Sequence, residues 1–105
     1  MALIFRVEDQ LHRVLDEFRD TPDADFIRLC LRAARAGDDW PTLGIVDQYS
    51  DTMLNRIQQG RFITELIAIL DRPDLLEGAG PMVRAVLDAA QRVYRDGGYL
   101  TILGE

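Results

Sequence analysis

Gly97-Gly98 followed by Tyr99-Leu100-Thr101-Ile102-Leu103 constrains this chain more than any other stretch. Two glycines close a helix, and the aromatic, β-branched and apolar residues after them read as a strand. A strand cannot satisfy its own backbone N–H and C=O groups, so a partner strand must come from elsewhere in the chain. The run Thr42-Leu43-Gly44-Ile45-Val46-Asp47, short, apolar and bounded by turn residues, is the expected partner. Leu3 to Val7 could add a third strand, or equally form the first turn of a helix.

The rest of the pattern is helical. Val7, Leu11, Val14, Leu15 and Phe18 recur at the spacing of an amphipathic helix, which predicts one over residues 8–19. His12, the single histidine, lies off that stripe and is expected to be a solvated surface residue rather than a general base. Thr21-Pro22-Asp23 supplies a cap, a first-turn proline and an acid for a second helix, whose apolar face is Phe26, Ile27, Cys30, Ala33 and Ala34 and whose stop is Gly37. A third helix is expected from Asp51 or Thr52 through Met53, Leu54 and Ile57, interrupted at Gly60. Phe62, Ile63, Leu66, Ile67 and Leu70 then form a stripe that stops before Pro73. Residues 74–80 read as a loop, and Pro81 opens a last helix through Met82, Val83, Val86, Leu87, Ala90, Val93 and Tyr94. The expected fold is α+β and mainly helical, with four or five helices packed on a small two- or three-stranded sheet in one domain over residues 1–105.

Composition sets the partner class. Leu, Ile, Val and Phe supply 32 of 105 residues, above the roughly 20% below which chains stay disordered. The formal charge is -6, which argues against nucleic acid as a ligand and for a positively charged protein. All 12 basic residues are arginine, a bias that coding composition explains more simply than selection for bidentate guanidinium pairing. One cysteine, Cys30, allows no intramolecular disulfide and no thiolate metal cluster, and its apolar neighbours mark it as a buried inert thiol. With no signal-like start and no apolar run of membrane-spanning length, a cytoplasmic location without membrane contact is expected.

Catalytic and nucleotide-binding signatures are missing. Gly78-Ala79-Gly80 lacks the lysine of a phosphate loop, no Ser or Cys carries a nucleophile motif, and neither an enzyme nor a cofactor is expected. Asp47 and Asp51 could hold Mg²⁺, but a turn role for Asp47 and a cap role for Asp51 with Thr52 are simpler. Asp51, Asn55 and Gln58 fall at i, i+4 and i+7. Such a polar stripe either pins the strand-to-helix corner or, with Tyr49, forms a recognition surface.

The motif Tyr49-Ser50-Asp51-Thr52-x-x-Asn55-x-x-Gln58, preceded by the expected apolar strand, followed by an amphipathic helix and ended by Tyr99-Leu100-x-Ile102-x-Gly104-Glu105, resembles a group of small uncharacterised bacterial proteins. Their pattern is similar to D-x-Y-G-D-T-x-x-N-x-x-Q with a closing Y-L-x-F-x-G-D. Ser50 stands where glycine is usual and Glu105 where aspartate is. The resemblance spans 43–70 and 99–105, brings no activity, and implies only that the central motif and the C-terminal strand belong together.

The leading functional expectation is an immunity- or inhibitor-type protein that neutralises a basic bacterial toxin domain. Asp38, Asp39 and Trp40 are candidate contacts, although Trp40 can equally be a core lid against Pro41. The alternatives are a small-ligand or enzymatic pocket at the Tyr49–Gln58 corner, and a homodimeric regulatory or structural subunit.

Overall fold

Leu3, Phe5 and Val7 alternate with Ile4, Arg6 and Glu8, and that two-residue period makes the start of the chain a strand. The computed structural model describes residues 3–104; Met1, Ala2 and Glu105, the last residue of the closing motif, lie outside the described residues. Strand β1 (Ile4–Glu8) pairs antiparallel with β2 (Val14–Arg19) and, on its other side, with β4 (Tyr99–Leu103). A two-residue strand β3 (Thr52–Met53) pairs with β4, giving the order β2-β1-β4-β3. In the register Phe5↔Ile102 and Val7↔Leu100, all four side chains are buried on one face. Arg6↔Thr101 and Glu8↔Tyr99 lie on the other.

Three helices cover the inner face. α1 (Asp25–Ala36) buries Phe26, Ile27, Leu29, Cys30 and Ala33. α2 (Arg56–Ile69) contributes Phe62, Leu66 and Ile69, and α4 (Gly80–Asp96) contributes Met82, Val83, Val86, Ala89, Ala90 and Val93. The one-turn helix α3 (Pro73–Leu76) links α2 to α4. Edge-to-face contacts join the layers, Phe5 to Phe26 at 5.3 Å and Phe26 to Phe62 at 6.5 Å between ring centres. The class is α+β with helices on one face of an antiparallel sheet, and the described residues form four strands rather than two or three.

Four local expectations are corrected. Residues 8–19 form the end of β1, a turn and β2, not a helix. The carboxylate of Asp9 accepts the Leu11 and Arg13 N–H groups at 2.8 and 2.9 Å, which gives the turn its hydrogen bonds without a helical ladder. Residues 42–47 are not the partner of β4: Leu43–Ile45 is a single 3-10 turn, held from α2 by Glu65. Asp51 and Thr52 do not cap the next helix. Thr52 belongs to β3, Asn55 caps α2, and α2 runs through Gly60 without interruption. The stretch 74–80 is partly helical, with Pro73 opening α3.

Two buried carboxylates organise the chain. Asp20 accepts from the N–H groups of Thr21, Phe26 and Ile27 at 2.8–3.1 Å and so caps α1 from outside it. This leaves Thr21 Oγ1 to accept the Asp25 N–H at 3.0 Å. Asp20→Ala is expected to cost about 2–3 kcal/mol, above the usual worth of an N-cap because two of the orphaned donors, Phe26 and Ile27 N–H, are buried. Urea denaturation measures it, and a midpoint equal to wild type would remove Asp20 from this role.

Candidate functional site: an acidic loop and a braced hairpin

The segment between the 3-10 turn and β3 is a loop whose shape its own side chains determine. Asp47 Oδ1 accepts the Tyr49 N–H at 2.8 Å, a local bond that turns the chain at 47–49. Ser50 O accepts the Gly104 N–H at 3.1 Å, which ties the loop to the end of β4. Gly104 permits this closeness, since a Cβ there would sit 2.6 Å from Ser50 N and 2.8 Å from Asp47 O. The loop and the C-terminal strand are thus one structural unit, joined further by Thr52↔Ile102 and Met53↔Thr101.

That bracing presents Tyr49 to solvent at 68% exposure. Asp47 and Asp51 on either side of it are exposed, as are Ile45 and Met53. An aromatic ring held on a fixed backbone among carboxylates loses little entropy on binding and complements a basic surface.

The other expected contacts are placed differently. Asn55 and Gln58 form a reciprocal capping box, with Gln58 N to Asn55 Oδ1 at 2.9 Å and Asn55 N to Gln58 Oε1 at 3.0 Å. Their amide groups are therefore engaged with the backbone of α2. Asn55 also borders a crevice of about 390 Å³ with Arg56, Gln59, Gly98 and Tyr99. Trp40 is 6% exposed and packs in the core with Leu43 and Val46. Asp38 and Asp39 are exposed on the turn before it. Asp39 borders a groove of about 520 Å³ with Ile57 and Tyr94, where the Arg56 guanidinium lies 3.8 Å from the centre of the Tyr94 ring. The six candidate contacts do not converge on one cavity.

At the opposite edge of the sheet, the β1–β2 hairpin carries features that sequence reasoning missed. His12 is exposed, as expected, but it sits in the turn rather than on a helix, with a left-handed φ of 61°. Turns of this length usually give that position to glycine. Its Nδ1 lies 3.0 Å from Oε1 of the buried Glu8, and its ring stacks on Tyr99 at 4.5 Å. These contacts offset the backbone strain and make the turn rigid. Asp9 adds to them through Arg13, whose Nε donates to Oδ2 at 2.7 Å. The backbone and side-chain donors of Arg13 hold the Asp9 carboxyl below its ordinary pKa.

A register shift between Val7 and Glu8 places an extra residue, Leu15, in β2. Leu15 borders a second crevice of about 390 Å³ with Val7, Leu11, Arg13, Arg92 and Val93, between the hairpin and the last turns of α4. The hairpin leaves Leu11 72%, Val14 52% and Leu15 59% exposed.

Cys30 is buried in α1, and burial, reinforced by the Asp20 and Glu65 carboxylates, pushes its thiol pKa far up. It stays protonated and unreactive. Among the described residues, no group of three or more His, Cys, Asp and Glu side chains could hold a metal ion. No helix of the described residues is long and apolar enough to cross a membrane. Comparison with protein-family models, with curated proteins and with solved structures finds no match to this chain.

Proposed function

We propose that this protein is a binding module for a basic protein partner, and more finely an immunity- or inhibitor-type protein that neutralises a basic bacterial toxin domain. The observation that carries the reading is Tyr49, 68% exposed on a loop pinned at both ends and flanked by exposed Asp47 and Asp51, in a chain of net charge -6. Binding energy in protein interfaces concentrates in such aromatic anchors, and a surrounding negative field speeds encounter with a positive partner.

Capture of partners on the tagged protein, with a salt titration of whatever co-elutes, tests the reading. The expected product is one near-stoichiometric basic protein whose association slows as salt rises. Tyr49→Ala should then weaken that complex about 30-fold or more, the equivalent of about 2 kcal/mol for a hot-spot residue. Its melting temperature should match wild type, because the Tyr49 side chain is largely in solvent. A Tyr49→Ala protein that binds as tightly as wild type would remove the loop as the docking surface. A partner whose association is insensitive to salt would remove the electrostatic argument.

A further inference from the structure

We infer that the hairpin end of the sheet is a self-association surface, at which a second copy of this chain docks with its Leu11 seated in the crevice between hairpin and α4. The inference is independent of the Tyr49 loop. β2 forms one edge of the four-stranded sheet and β3, which follows that loop, forms the other.

The patch contains both halves of a self-complementary contact. Leu11, 72% exposed, borders a crevice of about 390 Å³ together with Val7, Leu15 and Val93. An isologous interface needs projection and cavity on the same surface, so that a two-fold axis brings each to the other. The projection is preorganised. Leu11 donates its N–H to Asp9 Oδ1, and the His12 contacts with Glu8 and Tyr99 hold the next residue. The backbone of the turn is thus fixed before docking, and the Leu11 side chain is what docking has to order.

Charge favours a second copy over a charged foreign partner at this place. Glu8, Asp9, Asp16 and Asp96 face three arginines, Arg13, Arg92 and Arg95, so the patch holds little of the chain's charge of -6. Each arginine has its acid: Arg13 and Asp9 at 2.7 Å, Arg92 and Asp16 at 3.6 Å, Arg95 and Asp96 at 3.2 Å. Two like-charged molecules repel over most of their surfaces and least where both signs alternate, because a two-fold axis there sets acids near arginines.

Continuation of the sheet from β2 to β2 is the weaker mode. Asp16 Oδ1 already accepts the Glu17 N–H at 2.8 Å. An antiparallel two-fold pairing centred on Asp16 and Glu17 sets carboxylate against carboxylate. Side chains of the hairpin end, not backbone of the edge, therefore make the contact.

Sedimentation velocity and light scattering of the full chain over a concentration series test this. The expected wild-type mass rises from 11.9 kDa towards twice that value. Leu11→Asp should remain at the single-chain mass throughout and, at dilutions where wild type is also a single chain, melt as wild type does, since Leu11 is exposed at the turn. Leu15→Asp should act in the same direction, and Leu31→Asp, an exposed position on α1, should leave the dimer intact. Wild-type protein that stays at the single-chain mass overturns the inference, as does a dimer that persists in both hairpin variants or dissociates in Leu31→Asp. The Tyr49 reading fails separately, through partner binding by the Tyr49→Ala variant.

Discussion

Gly98→Ala is expected to lower the melting temperature by roughly 12 °C or more, corresponding to about 3 kcal/mol. The place a Cβ would occupy is taken by the carbonyl oxygen of Glu8, with Asp9 Cα 3.5 Å away. Neither side yields easily. Gly98 donates its N–H to Val93 O at 2.9 Å, closing the end of α4, and its carbonyl accepts from Gln59 Nε2 at 3.3 Å. Glu8 belongs to the ladder opposite Tyr99 and holds His12 through its carboxylate. Relief of the clash would separate β1 from β4 at the end where the hairpin is braced, so stability and the hairpin geometry should fail together. Gly44→Ala is the control, because the nearest atom to its Cβ would be Ala34 Cβ at 3.9 Å. Thermal melting by circular dichroism reads both, and a Gly98→Ala protein that melts with Gly44→Ala would contradict the close approach of the two strands.

Glu65→Ala is the second large effect, expected at about 3 kcal/mol. The buried carboxylate of Glu65 accepts the Thr42 N–H with both oxygens at 3.1 Å and the Leu43 N–H at 2.9 Å. Removing it leaves two buried donors unpaired, and each costs about 1–3 kcal/mol. Glu65→Gln keeps one acceptor oxygen and should lose about half as much. The loss also has a local readout. Trp40 is the single tryptophan and packs in the core beside the segment that Glu65 holds. Its fluorescence should shift to the red in Glu65→Ala and less in Glu65→Gln. Unchanged emission and melting in Glu65→Ala would show that the 3-10 turn holds its place without the carboxylate.

Glu65 also shows why the strand expected over 42–47 is absent. Apolar run length and flanking turn residues describe a buried extended segment equally well whether its N–H groups go to a ladder or to a side chain. Here the Thr42 and Leu43 N–H groups go to a carboxylate 23 and 22 residues away, and those of Gly44, Ile45 and Val46 go to carbonyls of the turn itself. The first helix failed for a related reason. Val7, Leu11, Val14, Leu15 and Phe18 match a helical period, but the structure buries Val7 and exposes Leu11, Val14 and Leu15. The competing signal was present in the alternation of Leu3, Phe5 and Val7. The α2 capping box was also legible, since Asn55-Arg56-Ile57-Gln58 has the required spacing ahead of an apolar run. The turn at Tyr49 rests on one local bond, from its N–H to Asp47, whereas the bracing of its loop by Gly104 and β4 is a contact between distant residues that no local pattern announces. The hairpin patch was not legible, because Leu15 and Val93 meet across elements far apart in sequence.

What the sequence determined by itself are the elements whose start, period and stop lie within one local stretch. α1 ends at Gly37, α4 has Pro81 near its start and Gly97 at its end, and β4 follows that second stop. Their signals act between neighbours in the chain, where capping, backbone restriction and side-chain period operate. The tertiary structure alone decided which strands pair, that β4 lies between β1 and β3, and where residues 40–46 come to rest. Those outcomes depend on Glu65 reaching Thr42 and on Gly98 admitting the carbonyl of Glu8. Each is a contact between groups brought together only by folding, and a buried polar group takes whichever partner satisfies it in space rather than in sequence.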